Sequence, residues 1–308
     1  MNILINIMGK KYNQLFNHIV PNQVDGIIIY TSDDKWSIKQ DYNHLTSEEH
    51  IIWAKLYESV YEKAYNYGHV FFKNGLDIFN KKCLDFESNL PNLNDISKII
   101  VHETLWKIKP VAGFVDESIF FKLLSESYFP SSDIIRFSNR FNNKYKGLNV
   151  RGNLSYTPEP DIFHEIFGHA PFLLNNKYCK LLRDIGRLGC NILENMEFTD
   201  NLKFHNLKRL QNFVWWTLEF GLIAENINTS FEILGSGILS SIDEINNVIK
   251  SIKYENKYST IIKYDIERVV FTCFDYSNLQ DRYYCIESFD YLYNSFYSNI
   301  DIFLFKGD

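Results

Sequence analysis

The sequence predicts a mainly α-helical protein of the α+β class, organised as one large domain with a few short strands. Three observations support this. Apolar residues recur at helical spacing over most of the chain. Segments in which apolar and polar residues alternate, as they do in a half-buried strand, are short and few. No internal repeat or low-complexity linker divides the 308 residues, a length that can bury one large core or two modest ones.

The chain is predicted to divide into a divergent N-terminal extension, 1–44, and a main domain, 45–308. The extension contains two strand-like runs, 2–8 and 26–31. The first of these has no basic residue before it and is followed by two lysines. A signal peptide has the opposite order, so we expect no export signal.

Helices of the main domain are predicted from caps and apolar periodicity. The first begins at Thr46, where Glu49 completes a capping box. The helices expected after it span 117–126, 173–198, 203–226 and 242–252. A loop rich in glycine and serine, 235–241, precedes the last of them.

Composition excludes several classes of protein. A hydrophobic content of 45% with a charged content of 23% is typical of a globular protein. No stretch approaches the ~18 apolar residues of a membrane span. The net charge of -6 argues against nucleic-acid binding. The cysteines lack the spacing of a disulfide framework or metal site, so we expect free thiols and a cytoplasmic location; they are Cys83, Cys179, Cys190, Cys273 and Cys285.

The segment 156–171, YTPEPDIFHEIFGHAP, holds two histidines, three carboxylates and three prolines. His164 and His169 are five residues apart, which on an ideal α-helix turns them ~140° away from each other. We expect Gly168 and Pro171 to break the helix, so that both histidines can bind one ion. The spacing differs from the HExxH motif of zinc peptidases, whose histidines are four apart on one helical face.

A third ligand is predicted within 210–226, LQNFVWWTLEFGLIAEN. Glu219 has large apolar neighbours three and four residues away, so a helix there would bury its carboxylate. A buried charge is costly unless it is paired or bound to a metal. Taken alone, Glu219 is explained as well by a salt bridge to a distant Lys or Arg. With two histidines available a metal site is favoured, since two histidines and one carboxylate form the facial triad of non-haem Fe(II) oxygenases.

Both motifs closely resemble those of the pterin-dependent aromatic amino acid hydroxylases, which oxidise the rings of phenylalanine, tyrosine and tryptophan. The resemblance covers about residues 45–300 and includes LTSEEHIIWAKLYE, IKPVAGFVDESIFFKLL, ILGSGILSSIDE and RYYCIESFD. It implies a phenylalanine 4-monooxygenase-like catalytic domain that hydroxylates an aromatic amino acid, with phenylalanine expected, using Fe(II), O2 and tetrahydrobiopterin or a related tetrahydropterin. The alternatives are the same chemistry on a modified or carrier-linked aromatic substrate, and a pseudoenzyme that binds pterin or an aromatic ligand.

The resemblance also assigns roles to single residues. The implied iron ligands are His164, His169 and Glu219. The implied pterin-binding residues are Gly113, Phe114, Val115, Phe120 and Glu165. The implied substrate-binding residues are Arg136, Thr157, Trp215, Gly237, Ser240 and Ser241. The implied catalytic residues are Glu159 and Trp215.

Some of these assignments have alternatives. Arg136, which ends the sequence YFPSSDIIR, is expected to clamp the substrate carboxylate, and Arg151 is the competing candidate. Asp161 is expected either to accept a hydrogen bond from the His164 imidazole or to cap the helix. The chain departs from the family at Val214, where a tyrosine is usual, so a reshaped pterin pocket is expected.

The segment 137–155 is longer than its counterpart in the family, and it has four basic residues and no acidic one. It is expected to be either a solvated loop or a lid that contacts an anionic partner or carrier. Eukaryotic members of the family add a regulatory domain and a tetramerisation helix. The chain has room for neither, so we expect a monomer or weak dimer.

Overall fold

The computed structural model describes residues 29–33, 36–113, 115–138, 161–226, 230–254, 259–276 and 278–307. Its α-helices are α1 (Ser47–Tyr67), α2 (Val70–Lys82), α3 (Leu93–Thr104), α4 (Glu117–Ser125), α5 (Asn176–Glu194), α6 (Asp200–Val214), α7 (Ser236–Leu239), α8 (Ile242–Lys253), α9 (Ile266–Phe271) and α10 (Phe289–Ser298). Short 3-10 helices lie at Tyr42–His44, Ala170–Leu174 and Ile300–Phe303. The predicted mainly helical fold is confirmed.

The strands of the described residues are short and form three sheets. The first pairs β1 (Ile29–Tyr30) with β2 (Ile38–Lys39) in antiparallel orientation. The second pairs β3 (Lys107–Val111) with β4 (Tyr128–Ser132) in parallel, Lys107 lying opposite Tyr128. The third has the order β6 (Glu232–Ile233), β5 (Gly221–Ile223), β8 (Arg282–Ile286) and β7 (Thr260–Lys263). In it β5 runs parallel to β8 and antiparallel to β6.

Helix α1 begins as predicted and packs against the segment that contains both histidines. The Thr46 hydroxyl accepts a hydrogen bond from the Glu49 backbone N–H, and the Glu49 carboxylate accepts one from the Thr46 N–H at 2.9 Å. Its buried stripe includes Trp53, whose ring centroid lies 5.1 Å from that of Phe163 in an edge-to-face contact. Packing of this helix therefore fixes the segment that holds both histidines.

Glycine allows α2 to approach the chain just after the second histidine. A Cβ at Gly75 would overlap the backbone of Pro171, so no larger residue fits without moving one of the two segments. The 3-10 turn Ala170–Leu174 is thus held between α2 and α5. This close approach fixes the position of His169 from its C-terminal side.

The helix predicted over 203–226 is shorter than expected. Helix α6 ends at Val214, a π-helical turn follows through Glu219, and β5 enters the sheet at Gly221. A short apolar run such as FGLI does not distinguish a buried strand from a buried helix by its periodicity. The change to a strand depends on pairing with β6 and with β8, and β8 is distant in sequence.

Residues just before the predicted boundary at 44/45 pack on the main domain. Gln40 is buried, donates to the Pro91 carbonyl oxygen, and accepts a hydrogen bond from the Leu93 N–H at 2.8 Å. The strand-like run 2–8 lies outside the described residues, and the division into 1–44 and 45–308 stays a prediction. No helix in the described ranges is long and apolar enough to cross a membrane.

Candidate metal centre

His164 and His169 lie on one π-helical turn, Phe163–His169. Its wide i→i+5 bonding, seen where the Ala170 N–H donates to the Glu165 carbonyl, places residues five apart above one another. The two Nε2 atoms are 3.1 Å apart. The predicted break between the histidines does not occur, because the helix widens instead. Gly168 serves close packing, since a Cβ there would lie 2.9 Å from the Ser236 carbonyl oxygen.

Glu219 ends a second π-helical turn, Trp215–Glu219, in which the Phe220 N–H donates to the Trp215 carbonyl at 2.8 Å. Its Oε1 lies 2.9 Å from His169 Nε2, and its Oε2 lies 3.6 Å from His164 Nε2. The carboxylate therefore faces the two histidines rather than a distant Lys or Arg. Within the described residues, no other three His, Cys, Asp or Glu side chains bring their ligand atoms together in this way.

Hydrogen bonds fix the tautomer of His164. The Ser240 hydroxyl donates to the Ser236 carbonyl at 2.9 Å, so its oxygen is left to accept from the His164 Nδ1–H at 2.8 Å. The proton on Nδ1 leaves Nε2 of His164 with a lone pair facing Glu219. Burial lowers the pKa of His164 to about 4, so the imidazole is neutral near pH 7.

Glu219 supplies the negative charge of the cluster. Burial alone would raise its pKa, but His169, His164 and the Gly237 N–H hold the pKa of Glu219 below its usual value. In this arrangement a proton on His169 Nε2 faces both Glu219 and the lone pair of His164. A cation would take the place of that proton, and two imidazole nitrogens with one carboxylate oxygen suit Fe(II). The residues present therefore fit an iron ion.

A cavity opens beside these three residues, and most of its wall is apolar. The apolar wall is made by Phe120, Leu124, Phe129, Pro130, Leu182, Ile185, Val214 and Leu218. The polar groups that reach the cavity belong to His164, Glu165, His169, Tyr178 and Glu219. An apolar cavity with a few convergent polar groups is typical of a small-molecule site.

The pKa of Glu165 is shifted in the opposite direction from that of Glu219. Burial raises the pKa of Glu165 well above its usual value, although hydrogen bonds from Ser131 and Ser132 oppose this. Its Oε2 accepts from the Ser132 N–H at 2.6 Å. The cavity thus has two carboxyl groups whose pKa values are shifted in opposite directions.

The family model described as biopterin-dependent aromatic amino acid hydroxylase matches residues 35–300. The chain belongs to this family. Phenylalanine-4-hydroxylase of Caulobacter vibrioides is 29% identical over 254 residues, which are 82% of this chain and 75% of that protein. The predicted activity class, pterin-dependent aromatic amino acid monooxygenase, is confirmed.

Two solved structures of phenylalanine hydroxylase from Chromobacterium violaceum share the fold of this hydroxylase. The one with bound iron and phenylalanine has a TM-score of 0.70 and 25% identity, covering 89% of this chain and 88% of that chain. The one with bound iron (III) and the oxidized cofactor 7,8-dihydrobiopterin has a TM-score of 0.68 and 25% identity, covering 87% and 86%.

The predicted pterin-binding residues lie in two places. Phe120 and Glu165 line the cavity. Gly113 follows β3 with a φ of 77°, a conformation that favours glycine, and the half-buried Val115 lies just before α4. Phe114 lies outside the described residues.

Arg136 makes a buried ion pair that the sequence did not indicate. Its Nε donates to Asp161 Oδ2 at 2.8 Å and its Nη2 to Oδ1 at 2.7 Å. Asp161 also accepts the His164 backbone N–H at 3.0 Å, which is the predicted capping role. The alternative, a bond to the His164 imidazole, is wrong because Ser240 takes that position. The substrate clamp stays a prediction for Arg136, and Arg151 lies outside the described residues.

The other predicted substrate residues support the metal cluster or the helices around it. Ser241 caps α8 by accepting the Glu244 N–H. Gly237 packs closely against the Phe220 ring, and its N–H donates to the Glu219 carboxylate. Trp215 stacks on Phe274 with centroids 4.1 Å apart, outside the wall of this cavity. Their contacts with substrate stay predictions. Thr157, Glu159 and residues 139–155 of the long segment lie outside the described residues.

Sequence reasoning missed Tyr178, which reaches the cavity from α5. It lies in the apolar stripe of that helix with Leu181, Leu182 and Ile185, a pattern that indicates core. Burial, and then the charge of Glu219, raises the pKa of Tyr178 above its usual value, so its hydroxyl keeps its proton. Only the need of a buried phenol for a hydrogen-bond partner could have signalled a role.

The two adjacent serines give the first experimental expectation. Ser240→Ala removes the acceptor of the His164 Nδ1–H and is expected to weaken metal affinity ~10–100-fold, the usual cost of losing such a partner. Ser241→Ala removes the α8 cap and is expected to cost about 1 kcal/mol of unfolding free energy while metal affinity is kept. Metal titration and denaturant unfolding of both variants measure this. Equal metal affinities in the two variants would contradict the assigned tautomer.

Proposed function

We propose that this hydroxylase binds iron through His164, His169 and Glu219 and hydroxylates the ring of phenylalanine with O2 and a tetrahydropterin. The observation that carries the proposal is the convergence of these three side chains on one side of an apolar cavity. The iron-bound and pterin-bound structures of the Chromobacterium relative support both cofactors.

Iron and a reduced pterin supply the oxygen-activating chemistry when they are bound. The chain supplies geometry and environment. Ser240 orients the His164 ring, and the two π-helical turns hold Glu219 against both histidines. The apolar wall keeps water out of the cavity. Glu165 and Phe120, which both line the cavity, would contact the pterin ring.

Phenylalanine is the proposed substrate because the relatives with matching sequence and fold are phenylalanine hydroxylases. Its ring suits the apolar wall, which includes Phe129 and Leu218. Asp161 fixes the orientation of the Arg136 guanidinium, which supports a clamp of defined geometry for the substrate carboxylate. The proposed substrate-side residues remain Arg136, Thr157, Trp215, Gly237, Ser240 and Ser241, with Glu159 and Trp215 as catalytic residues.

Three narrower proposals concern the surroundings of the enzyme. The basic composition of 137–155 supports contact with an anionic partner or carrier at this segment. A monomer or weak dimer is also proposed. A cytoplasmic location is supported by the cysteines, which are free thiols in the described residues.

The proposed function is tested by product analysis. Protein loaded with Fe(II) receives phenylalanine, tyrosine or tryptophan in separate reactions with tetrahydrobiopterin and O2. We expect conversion of phenylalanine to tyrosine, coupled to pterin oxidation and faster than reaction of the other two amino acids. Pterin oxidation without hydroxylated product from any of them would favour a carrier-linked substrate. Iron-loaded protein that oxidises no pterin would contradict the proposal.

A further inference from the structure

Tyr178 is held rigidly where α5 passes the candidate metal centre. Its backbone N–H donates to the capping Asn175 side chain at 3.0 Å. Its ring stacks on Phe172, with centroids 4.9 Å apart and planes 21° apart. A stacked, capped and fully buried ring leaves the phenol oxygen little freedom to move. The position of the hydroxyl is therefore set by the fold.

Tyr178 lines the same cavity as Glu219, and its buried hydroxyl has no hydrogen-bond partner of normal distance and angle among the described residues. The same holds for the hydroxyl of Ser236, its neighbour. Glu219 is close enough for its charge to act on the phenol, and both side chains line the cavity. Buried polar groups are nearly always hydrogen-bonded, so an isolated phenol here needs an explanation.

Metal binding would change the hydrogen bonding of Glu219. In this structure His169 Nε2 lies 2.9 Å from Glu219 Oε1 and the Gly237 N–H is a second donor. A histidine nitrogen that ligates a metal has no proton to donate, so Glu219 loses its partner at His169. Carboxylates that ligate metals are themselves hydrogen-bonded by outer groups. Among the residues that line the cavity, Tyr178 is the one that carries a hydroxyl.

We propose that Tyr178 is a positioning residue for Glu219, its hydroxyl donating a hydrogen bond to the carboxylate when the three side chains hold a divalent cation. The inference rests on the proposed function, because it requires Glu219 to be a ligand. In the metal-bound state the hydroxyl of the neighbouring Ser236 would donate to the phenol oxygen and orient it. Val214 also lines the cavity but has no side-chain hydrogen-bonding group, so it has no such role.

The test uses Co(II) alone as the probe of the metal-free protein, with affinity measured by visible absorption titration. Tyr178→Phe removes one oxygen and keeps the stacked ring. Its Co(II) affinity is expected to fall ~10–100-fold. The matched control is Tyr264→Phe, because Tyr264 is also buried and has its hydroxyl 3.2 Å from that of Ser295. This control is expected to bind Co(II) like the wild type.

The reduction potential of bound iron gives a second readout that packing alone would not move. A hydrogen bond draws charge from the carboxylate, so its loss in Tyr178→Phe favours Fe(III) and is expected to lower the potential. Unchanged Co(II) affinity and potential in folded Tyr178→Phe would overturn the role of Tyr178 and leave the proposed function intact. If that variant does not fold, Ser236→Ala decides in its place by the same two measurements. Wild-type protein that binds no Co(II) would overturn both proposals.

Discussion

Glu219→Ala is expected to remove most of the bound iron and to abolish pterin-dependent oxygen consumption. The substitution leaves two imidazoles without the anionic ligand that balances the charge of the ion. Loss of an outer partner of a metal ligand costs ~10–100-fold in affinity or activity, and the loss of a ligand itself should cost more. His164→Ala should act in the same way. Iron analysis and an oxygen electrode measure both effects.

The control for this experiment is Glu197→Ala, a carboxylate on the surface paired with Lys306 at 3.4 Å. It removes the same functional group, so iron content and turnover should equal those of the wild type. Full iron content and turnover in Glu219→Ala would contradict the metal assignment. Loss in both variants would indicate a general effect of charge instead.

Arg136→Ala is expected to destabilise the folded protein by ~3–5 kcal/mol, because it leaves a buried carboxylate without its partner. The side chains of Arg136 and Asp161 are 3% and 2% exposed, so water cannot replace the lost contacts. Urea unfolding of wild type and variant measures the difference. An exposed pair offers the control, since Lys98→Ala, opposite Asp95, should change stability by less than ~1 kcal/mol. A similar small effect at Arg136 would contradict the account of the buried pair.

The ion pair also decides how the substrate clamp is tested. An alanine at 136 would confuse loss of binding with loss of folding. Arg136→Lys keeps the charge near Asp161 but loses the planar fork, so it should weaken phenylalanine affinity more than it weakens stability. Unchanged affinity for phenylalanine in folded Arg136→Lys would move the clamp to another residue, for which Arg151 is the candidate.

The same pair contributes to acid sensitivity. Burial would raise the pKa of Asp161, but the charge and hydrogen bonds of Arg136 hold it below its usual 3.8. A folded-state pKa below the unfolded value stabilises the fold above pH 3.8, and this contribution is lost as the pH falls through the folded value. Acid unfolding of the wild type should therefore include a component that Arg136→Lys diminishes.

Features that depend on near neighbours in sequence were predictable. The Thr46 and Glu49 capping box needs only four residues, and it forms as expected. The candidate metal ligands could be selected because two histidines and a buried glutamate have few other uses together. The family resemblance then supplied the activity, which residue spacing alone left open.

Features that depend on packing were not predictable. The π-helical turn at Phe163–His169 has no local signal, because its wide bonding is held by α1 beneath Phe163 and by α7 against Gly168. The pairing of Arg136 with Asp161 joins residues 25 apart and depends on how the chain returns to this point. Tyr178 faces the cavity because of the rotation of α5 about its axis. The spacing of apolar residues along the sequence predicts that rotation only coarsely.

The most direct test of the metal assignment is anomalous diffraction at the iron absorption edge from crystals of the iron-loaded protein. We expect one strong anomalous peak within bonding distance of His164 Nε2, His169 Nε2 and a carboxylate oxygen of Glu219. Iron–ligand distances near 2.0–2.2 Å, the range of nitrogen and oxygen ligands of a comparable divalent ion, would agree with this site. A peak elsewhere in the molecule, or iron bound without contact to Glu219, would contradict it.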